Sequence, residues 1–426
     1  MSAELSPNPT AGRLCAADIE SAAKRIAPVV TPTPLQFSDR LSAITGASVY
    51  LKREDLQVVR SYKLRGAYNL LVQLTDEELA AGVVCSSAGN HAQGFAYACR
   101  ALGVRGRVYV PAKTPKQKRD RIRYHGGEFI ELIVGGSTYD LAAEAALEDV
   151  RRTGATLVPP YDDLRTMAGQ GSIAVELLDQ LGSEPDLVVV AVGGGGCISG
   201  ITTYLAERTT NTSVLGVEPA GAAAMMAALA AGEPVTLDHV DQFVDGAAVA
   251  RAGALPYAAL AAAGDMVSIT TLDEGAVCTA MLDLYQNEGI IAEPAGALSV
   301  AGLLEADIEP GSTVVCLISG GNNDVSRYGE VLERSLVHLG LKHYFLVDFP
   351  QEPGALRRFL DGVLGPGDDI TLFEYVKRNN RDTGEALVGI ELSSAADLDG
   401  LLERVRATDI HVEKLAPDSP AYRYLL

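Results

Sequence analysis

Tryptophan is absent from this 426-residue chain, and cysteine, methionine and histidine number six each. The cysteines, at positions 15, 85, 99, 197, 278 and 316, form no Cys-x-x-Cys pair and no Cys/His ligand spacing, which removes the sequence grounds for a zinc or dithiol framework. Several lie in apolar, strand-like runs such as Val83-Val84-Cys85 and Val314-Val315-Cys316, so buried reduced thiols are expected. Basic residues are in deficit: 35 Lys and Arg against 55 Asp and Glu leave a formal charge of −20. That balance weighs against nucleic acid and against anionic membrane surfaces as partners. No hydrophobic segment of the signal-peptide kind opens the chain, and no apolar run reaches about 18 residues, so a cytoplasmic protein is expected.

What is abundant is small and apolar. Hydrophobic residues make up 47% and glycine contributes 43 positions, which suits closely packed α/β layers. The length allows two to three domains. Residues 1–12 are rich in Ser, Pro, Gly and Ala and are expected to be poorly ordered. From about 15 to 335 short β-branched runs alternate with helical stretches. Strands are predicted at 49–51, 83–86, 107–110, 129–134, 187–192, 214–217 and 313–318. Helices are predicted at 16–27, 66–73, 91–102, 115–124, 137–153, 171–181 and 273–288, with another starting near Ile198. This alternation predicts an α/β protein with a mainly parallel sheet. Composition shifts near Gly340. Beyond it the order strand 342–349, helix from about 351, strands 372–378 and 385–392, helix 398–408 and strand 410–415 is ferredoxin-like. The expected division is therefore 1–340 and 341–426.

Four segments carry chemistry. Gly193-Gly194-Gly195-Gly196 follows the apolar strand 187–192 and precedes a helix. Side-chain-free backbone N–H groups can converge there on an anion, and the helix N-terminus adds favourable partial charge. A nicotinamide-binding fingerprint also begins Gly-x-Gly after a strand, and Glu218 lies about 25 residues on, so that alternative stays open. Lys63, between Tyr62 and Leu64 and near Arg60 and Arg65, is a candidate aldehyde-trapping lysine, since such a group needs its pKa depressed by burial or nearby positive charge. Ser86-Ser87-Ala88-Gly89-Asn90-His91 lies at the carboxyl end of one strand and the start of a helix, where ligands of open α/β sheets collect. Its hydroxyls, N–H groups and amide could hold a carboxylate and a ring oxygen, and they could equally cap the helix. Ser319 closes strand 313–318. Opposite a pyridine nitrogen, a serine forms a hydrogen bond but cannot hold the ring protonated as a carboxylate would, which favours elimination over long-lived carbanion chemistry. Together these four segments have what holding pyridoxal phosphate requires.

With those residues in view, the chain resembles the fold-type II pyridoxal-phosphate enzymes, and within them the biosynthetic threonine dehydratases. The motifs that carry the resemblance include Thr31-Pro32-Thr33-Pro34-Leu35, Leu51-Lys52-Arg53-Glu54-Asp55, Ser61-Tyr62-Lys63-Leu64-Arg65-Gly66-Ala67 and Ser86 to Gly94. Tyr161-Asp162-Asp163, Ala168-Gly169-Gln170-Gly171, Gly216-Val217-Glu218-Pro219, Glu293-Pro294-Ala295-Gly296-Ala297 and Ile318 to Asn322 extend it. The resemblance implies two open α/β subdomains, the smaller spanning about 56–160, followed by a small α+β ACT-like regulatory domain at 341–426. It implies that Lys63 holds the cofactor covalently and removes the Cα proton. It places Asn90 on the ring hydroxyl, Gly193, Gly194, Gly195 and Gly196 on the phosphate, and Ser319 on the ring nitrogen. Ser86, Ser87, Ala88, Gly89 and His91 are the implied substrate-binding segment.

The implied reaction converts L-threonine to 2-oxobutanoate and ammonia, opening isoleucine biosynthesis, with feedback inhibition by isoleucine, relief by valine and a homotetrameric assembly. A serine dehydratase or another β-elimination or β-replacement enzyme is the alternative, and an amino-acid sensor with a decayed catalytic half is a third reading. Serine racemases of the group place a serine where Ala88 stands, so racemisation is disfavoured. Some relatives hold a divalent cation with carboxylates just after the position of Glu218. Pro219-Ala220-Gly221-Ala222-Ala223-Ala224 supplies none, and no tightly bound metal is expected.

Overall fold

The computed structural model describes residues 12–375, 382–416, 419 and 422. The expectation for the first residues, and the end of the strand expected at 372–378, fall mainly or partly outside that range. The chain divides into two compact units. One comprises the residues up to Glu274 with Asp283–Asn323, and the other Gly275–Leu282 with the residues from Asp324 onward.

The first unit contains two open sheets. Leu35–Phe37, Ser48–Arg53, Thr313–Ile318, Leu187–Ala191, Ser213–Pro219 and Val267–Leu272 lie side by side in that order, all parallel except the first pair. Ile130–Val134, Gly106–Val110, Val83–Ser86 and Thr156–Leu157 form the smaller, wholly parallel sheet. The interior strands read as unbroken β-branched runs because helices cover both faces. Val188, Val190, Val192, Ile198, Ile201, Val315 and Leu317 share one buried core, while Leu64, Val83, Phe95, Val108 and Ile122 share the other. Each such fully buried side chain contributes about 1.5–3 kcal/mol.

The second unit carries a four-stranded antiparallel sheet in the order Asp369–Tyr375, Thr383–Glu391, Lys342–Pro350, His411–Lys414. Helices Ala355–Val363 and Leu398–Arg406 supply the crossovers, and Phe345, Val347, Phe349, Phe359 and Val388 fill the core. This is the ferredoxin-like order that the pattern predicted. Elsewhere the pattern missed strands Leu35–Phe37, Thr156–Leu157 and Val267–Leu272, and helices Asp39–Thr45, Asp76–Ala81, Ala224–Ala231, Ala254–Ala263, Pro294–Glu305 and Tyr328–His338. No helix among the described residues is long and apolar enough to cross a membrane.

Candidate active site

Lys63 is the first residue of helix Lys63–Leu71, and a short antiparallel contact fixes where that helix starts. Ser61 bridges Gly320, Tyr62 N–H donates to the Ser319 carbonyl at 3.2 Å, and Gly321 N–H donates to the Arg60 carbonyl at 2.9 Å. Arg60 takes up the sharp turn with φ +57, a left-handed conformation that costs a non-glycine residue of order 1–3 kcal/mol. Lys63 thus lies next to the end of strand Thr313–Ile318. Its Nζ donates to the Pro160 carbonyl at 3.3 Å. Desolvation pulls its pKa down to about 8, outweighing the opposing pull of Glu293. Helix geometry sends Arg65, two positions on, to the opposite side. There it is fully buried, bonded to Glu54 at 2.7 Å and to Glu176 at 2.7 Å, while Lys52 meets Glu176 at 2.7 Å.

The glycine run leaves strand Leu187–Ala191 and opens helix Gly196–Arg208 through Gly195, whose φ of +90 requires glycine. Side chains at Gly194 and Gly196 would collide with Tyr161, and one at Gly196 would lie 2.8 Å from Gln170 Oε1. The absence of side chains keeps open a pocket lined by Tyr62, Lys63, Tyr161 and the four glycines. Gln170 Oε1 is buried without a hydrogen-bond partner, as are Ser86 Oγ, Ser61 Oγ and His91 Nδ1. Asp162 braces this wall by accepting the N–H groups of Ala254 and Leu255 at 3.1 and 2.9 Å.

Ser86 ends strand Val83–Ser86, and helix Asn90–Leu102 begins at Asn90. Ser87, Ala88 and Gly89 form the half-buried turn between them, with Ser87 Oγ accepting Gly89 N–H at 3.3 Å. His91 differs from its fellows. It is only 3% exposed, its Nε2 lies 2.8 Å from the Val158 carbonyl, and burial lowers its pKa to about 4. A neutral ring that donates from Nε2 keeps a lone pair on Nδ1, which suits accepting a hydrogen bond and not holding a carboxylate. Asn90 Nδ2 donates to Glu293 Oε1 at 2.5 Å, and Asn90 Oδ1 accepts from Asn322 Nδ2 at 2.8 Å. Burial, and then repulsion from Asp245, raise Glu293 to about 7. Ser319 is buried, and its hydroxyl donates to the Ala295 carbonyl at 3.2 Å. Lys63 and the glycine run thus share one pocket, Ser319 pairs with Tyr62 through the backbone, and Asn90 of the 86–91 turn meets Glu293 and Asn322. Glu293, Tyr161 and Gln170 join them, although their sequence motifs suggested no role for them.

The nicotinamide alternative loses its acid. Glu218 is buried with its carboxylate accepting the N–H groups of Met225 and Met226, both at 2.8 Å, and burial raises its pKa to about 7. Among the described residues no group of three or more His, Cys, Asp or Glu could hold a metal ion.

Residues 26–320 match the family described as pyridoxal-phosphate dependent enzyme, and residues 333–425 match the C-terminal regulatory domain of threonine dehydratase. The chain belongs to the pyridoxal-phosphate-dependent enzymes. It is 89% identical, over the whole of both chains, to a Mycobacterium tuberculosis protein named biosynthetic L-threonine dehydratase. It is 49% identical to the Bacillus subtilis protein of the same name over 96% of each. Among solved structures, the processed threonine deaminase isoform 2 of Solanum lycopersicum is 34% identical, with a TM-score of 0.69, covering 77% of this chain and 99% of that one. Maize serine racemase is 29% identical with a TM-score of 0.70 and the same coverage. The fold is thus fold-type II, and the cofactor is pyridoxal phosphate. The cleft fits that group: a cradle that side chains would fill, a desolvated lysine amine lining the same pocket, and unpartnered buried polar atoms.

Proposed function

We propose that this enzyme dehydrates and deaminates L-threonine to 2-oxobutanoate and ammonia, the first step of isoleucine biosynthesis. The full-length likeness to proteins named biosynthetic L-threonine dehydratase carries this reading. Bound pyridoxal phosphate supplies an electron sink for charge developing at the substrate's Cα. The chain's residues do the rest. The N–H groups of Gly193 to Gly196 and the start of helix Gly196–Arg208 would hold the phosphate. Lys63 would bind the cofactor carbon and, with its pKa lowered to about 8 by desolvation, would take the Cα proton at Nζ. Asn90 would donate to the ring oxygen. Ser319 would hydrogen-bond the ring nitrogen, and being neutral it would limit the sink, so that loss of the β-hydroxyl is favoured. Ser86, Ser87, Ala88 and Gly89 take the substrate carboxylate with hydroxyls and backbone N–H groups, while His91 braces that turn from Val158. Water is lost from threonine and regained when the amine carbon is hydrolysed. Ala88 offers a methyl where racemisation would need a second proton carrier.

Residues 341–426 form the regulatory domain of this proposal. It binds isoleucine as inhibitor, with valine opposing, in a cytoplasmic homotetramer. The catalytic domain spans 1–340, with the smaller subdomain at about 56–160.

The test is 2-oxobutanoate release from L-threonine against pyruvate release from L-serine, with and without isoleucine. Faster threonine turnover, suppressed by isoleucine, is the expected result. Preference for serine would move the assignment to a serine dehydratase, and indifference to isoleucine would remove the effector assignment.

A further inference from the structure

The amide of Asn90 belongs to a hydrogen-bonded chain that begins at a guanidinium and ends at a carboxyl group. Arg121 Nη2 donates to Asn322 Oδ1 at 3.1 Å. Asn322 Nδ2 donates to Asn90 Oδ1 and to the Val59 carbonyl, both at 2.8 Å. Asn90 Nδ2 donates in turn to Glu293 Oε1 at 2.5 Å. An amide can be turned end for end at little cost, so nothing within Asn90 decides which end faces a ligand. A guanidinium has only donors and a backbone carbonyl, such as that of Val59, only acceptors. Arg121 therefore fixes the carbonyl end of Asn322, which fixes its NH₂ end on Asn90 Oδ1, which leaves the Asn90 NH₂ directed at Glu293. Every link then runs from donor to acceptor in one direction. Gly320 completes the arrangement, because a side chain there would meet the Glu293 carboxylate and come within 3.2 Å of Asn90 Nδ2.

We propose that Arg121, Asn322 and Glu293 are positioning residues that lock Asn90 with its NH₂ group, and not its carbonyl, toward the cofactor's ring oxygen. This rests on the assignment of Asn90 to that oxygen. A carbonyl turned the same way would repel the oxygen, so the lock governs both retention of the cofactor and its visible absorption. The chain also spans the two sheets of the catalytic unit: Asn90 and Arg121 flank the smaller sheet, and Asn322 and Glu293 lie beside the larger one. Asp245 and Lys118, paired with each other, face Glu293 together with Lys63 and Tyr62.

Reversing one link tests the proposal. Asn322→Asp puts an acceptor where Asn90 Oδ1 now finds a donor, while Arg121 keeps its partner. Asn90 must then turn over. Apo protein of wild type, Asn322→Asp, Asn322→Ala and Asn90→Ala is titrated with pyridoxal phosphate, reading the visible band and the dissociation constant. Asn322→Asp is expected to bind about tenfold more weakly than Asn322→Ala, with a smaller visible band, since it opposes the orientation and does not merely release it. A packing role alone would make the alanine variant the worse of the two, and that order overturns the lock. Should Asn322→Asp fail to fold, the double variant Asn322→Asp/Glu293→Gln, in which both links to Asn90 run backwards while Arg121 still donates, is expected to fold and to retain the cofactor defect. Normal binding by that double variant also overturns the lock. If Asn90→Ala binds the cofactor like wild type, the assignment of Asn90 itself falls. A defect in Asn90→Ala with Asn322→Asp no weaker than Asn322→Ala removes the lock and leaves that assignment standing.

Discussion

The backbone N–H of Tyr62 donates to the carbonyl of Ser319 at 3.2 Å, across a separation of more than 250 residues in the chain. This contact sets Lys63 beside the end of strand Thr313–Ile318, where Arg60 takes the turn at φ +57. The lysine is positioned by backbone pairing, so its side chain is free for chemistry.

Lys63→Ala is expected to fold, because the neighbouring pairing uses main-chain atoms, and to lose the visible chromophore. Turnover is expected to fall by about 10³-fold or more, since one group supplies both covalent attachment and general base. Circular dichroism and 2-oxoacid release check the two halves.

Desolvation holds Lys63 at about 8, against about 10.4 for a lysine in water. The neutral amine that attacks the cofactor's aldehyde accordingly grows in as pH rises through 8. Cofactor capture by apo protein, followed by stopped-flow absorbance, is expected to accelerate with an inflection near pH 8. In the same window the unfolded chain binds the extra proton, so this lysine's contribution to stability rises with pH from about 8 toward 10.4. An inflection near the ordinary lysine range contradicts the desolvation.

Gly194→Ala drives a methyl into the Tyr161 ring. Overpacking of this kind costs about 1–3 kcal/mol, and here the strain falls on the phosphate cradle. Equilibrium titration with pyridoxal phosphate is expected to show affinity reduced about tenfold or more, with secondary structure retained.

Arg65→Ala leaves Glu54, itself fully buried, without its cation. Breaking such a pair costs about 3–5 kcal/mol. Urea denaturation of the apo protein is expected to show a loss in that range, whereas a loss below about 1 kcal/mol would mean that the cluster is solvated.

Isoleucine, on the proposed reading, binds the native protein only. At one hundred times its dissociation constant it is expected to add about 2.7 kcal/mol, visible as a raised thermal midpoint. An unchanged midpoint at saturating concentrations counts against it as the effector.

Much of this was legible in the sequence wherever punctuation is sharp. Strand Leu187–Ala191, four glycines and helix Gly196–Arg208 follow one another without ambiguity, and the alternation of Phe345, Val347 and Phe349 announces a strand with one buried face. Helix Ala224–Ala231, spelled Ala-Met-Met-Ala-Ala-Leu-Ala-Ala, is apolar on every side and has no period to detect. Leu35–Phe37 is three residues long, too short for any pattern. Glu293 was invisible as a site residue for another reason. Its partner Asn90 is 203 positions away, and only the packing of the two subdomains makes them neighbours.

The most direct test of the account is to reduce the holoenzyme with borohydride and map the modified peptide by mass spectrometry. The account requires a single pyridoxyl-phosphate adduct on Lys63, in the peptide containing Ser61 and Tyr62. An adduct on another lysine, or none on a protein that still releases 2-oxobutanoate from threonine, would contradict it.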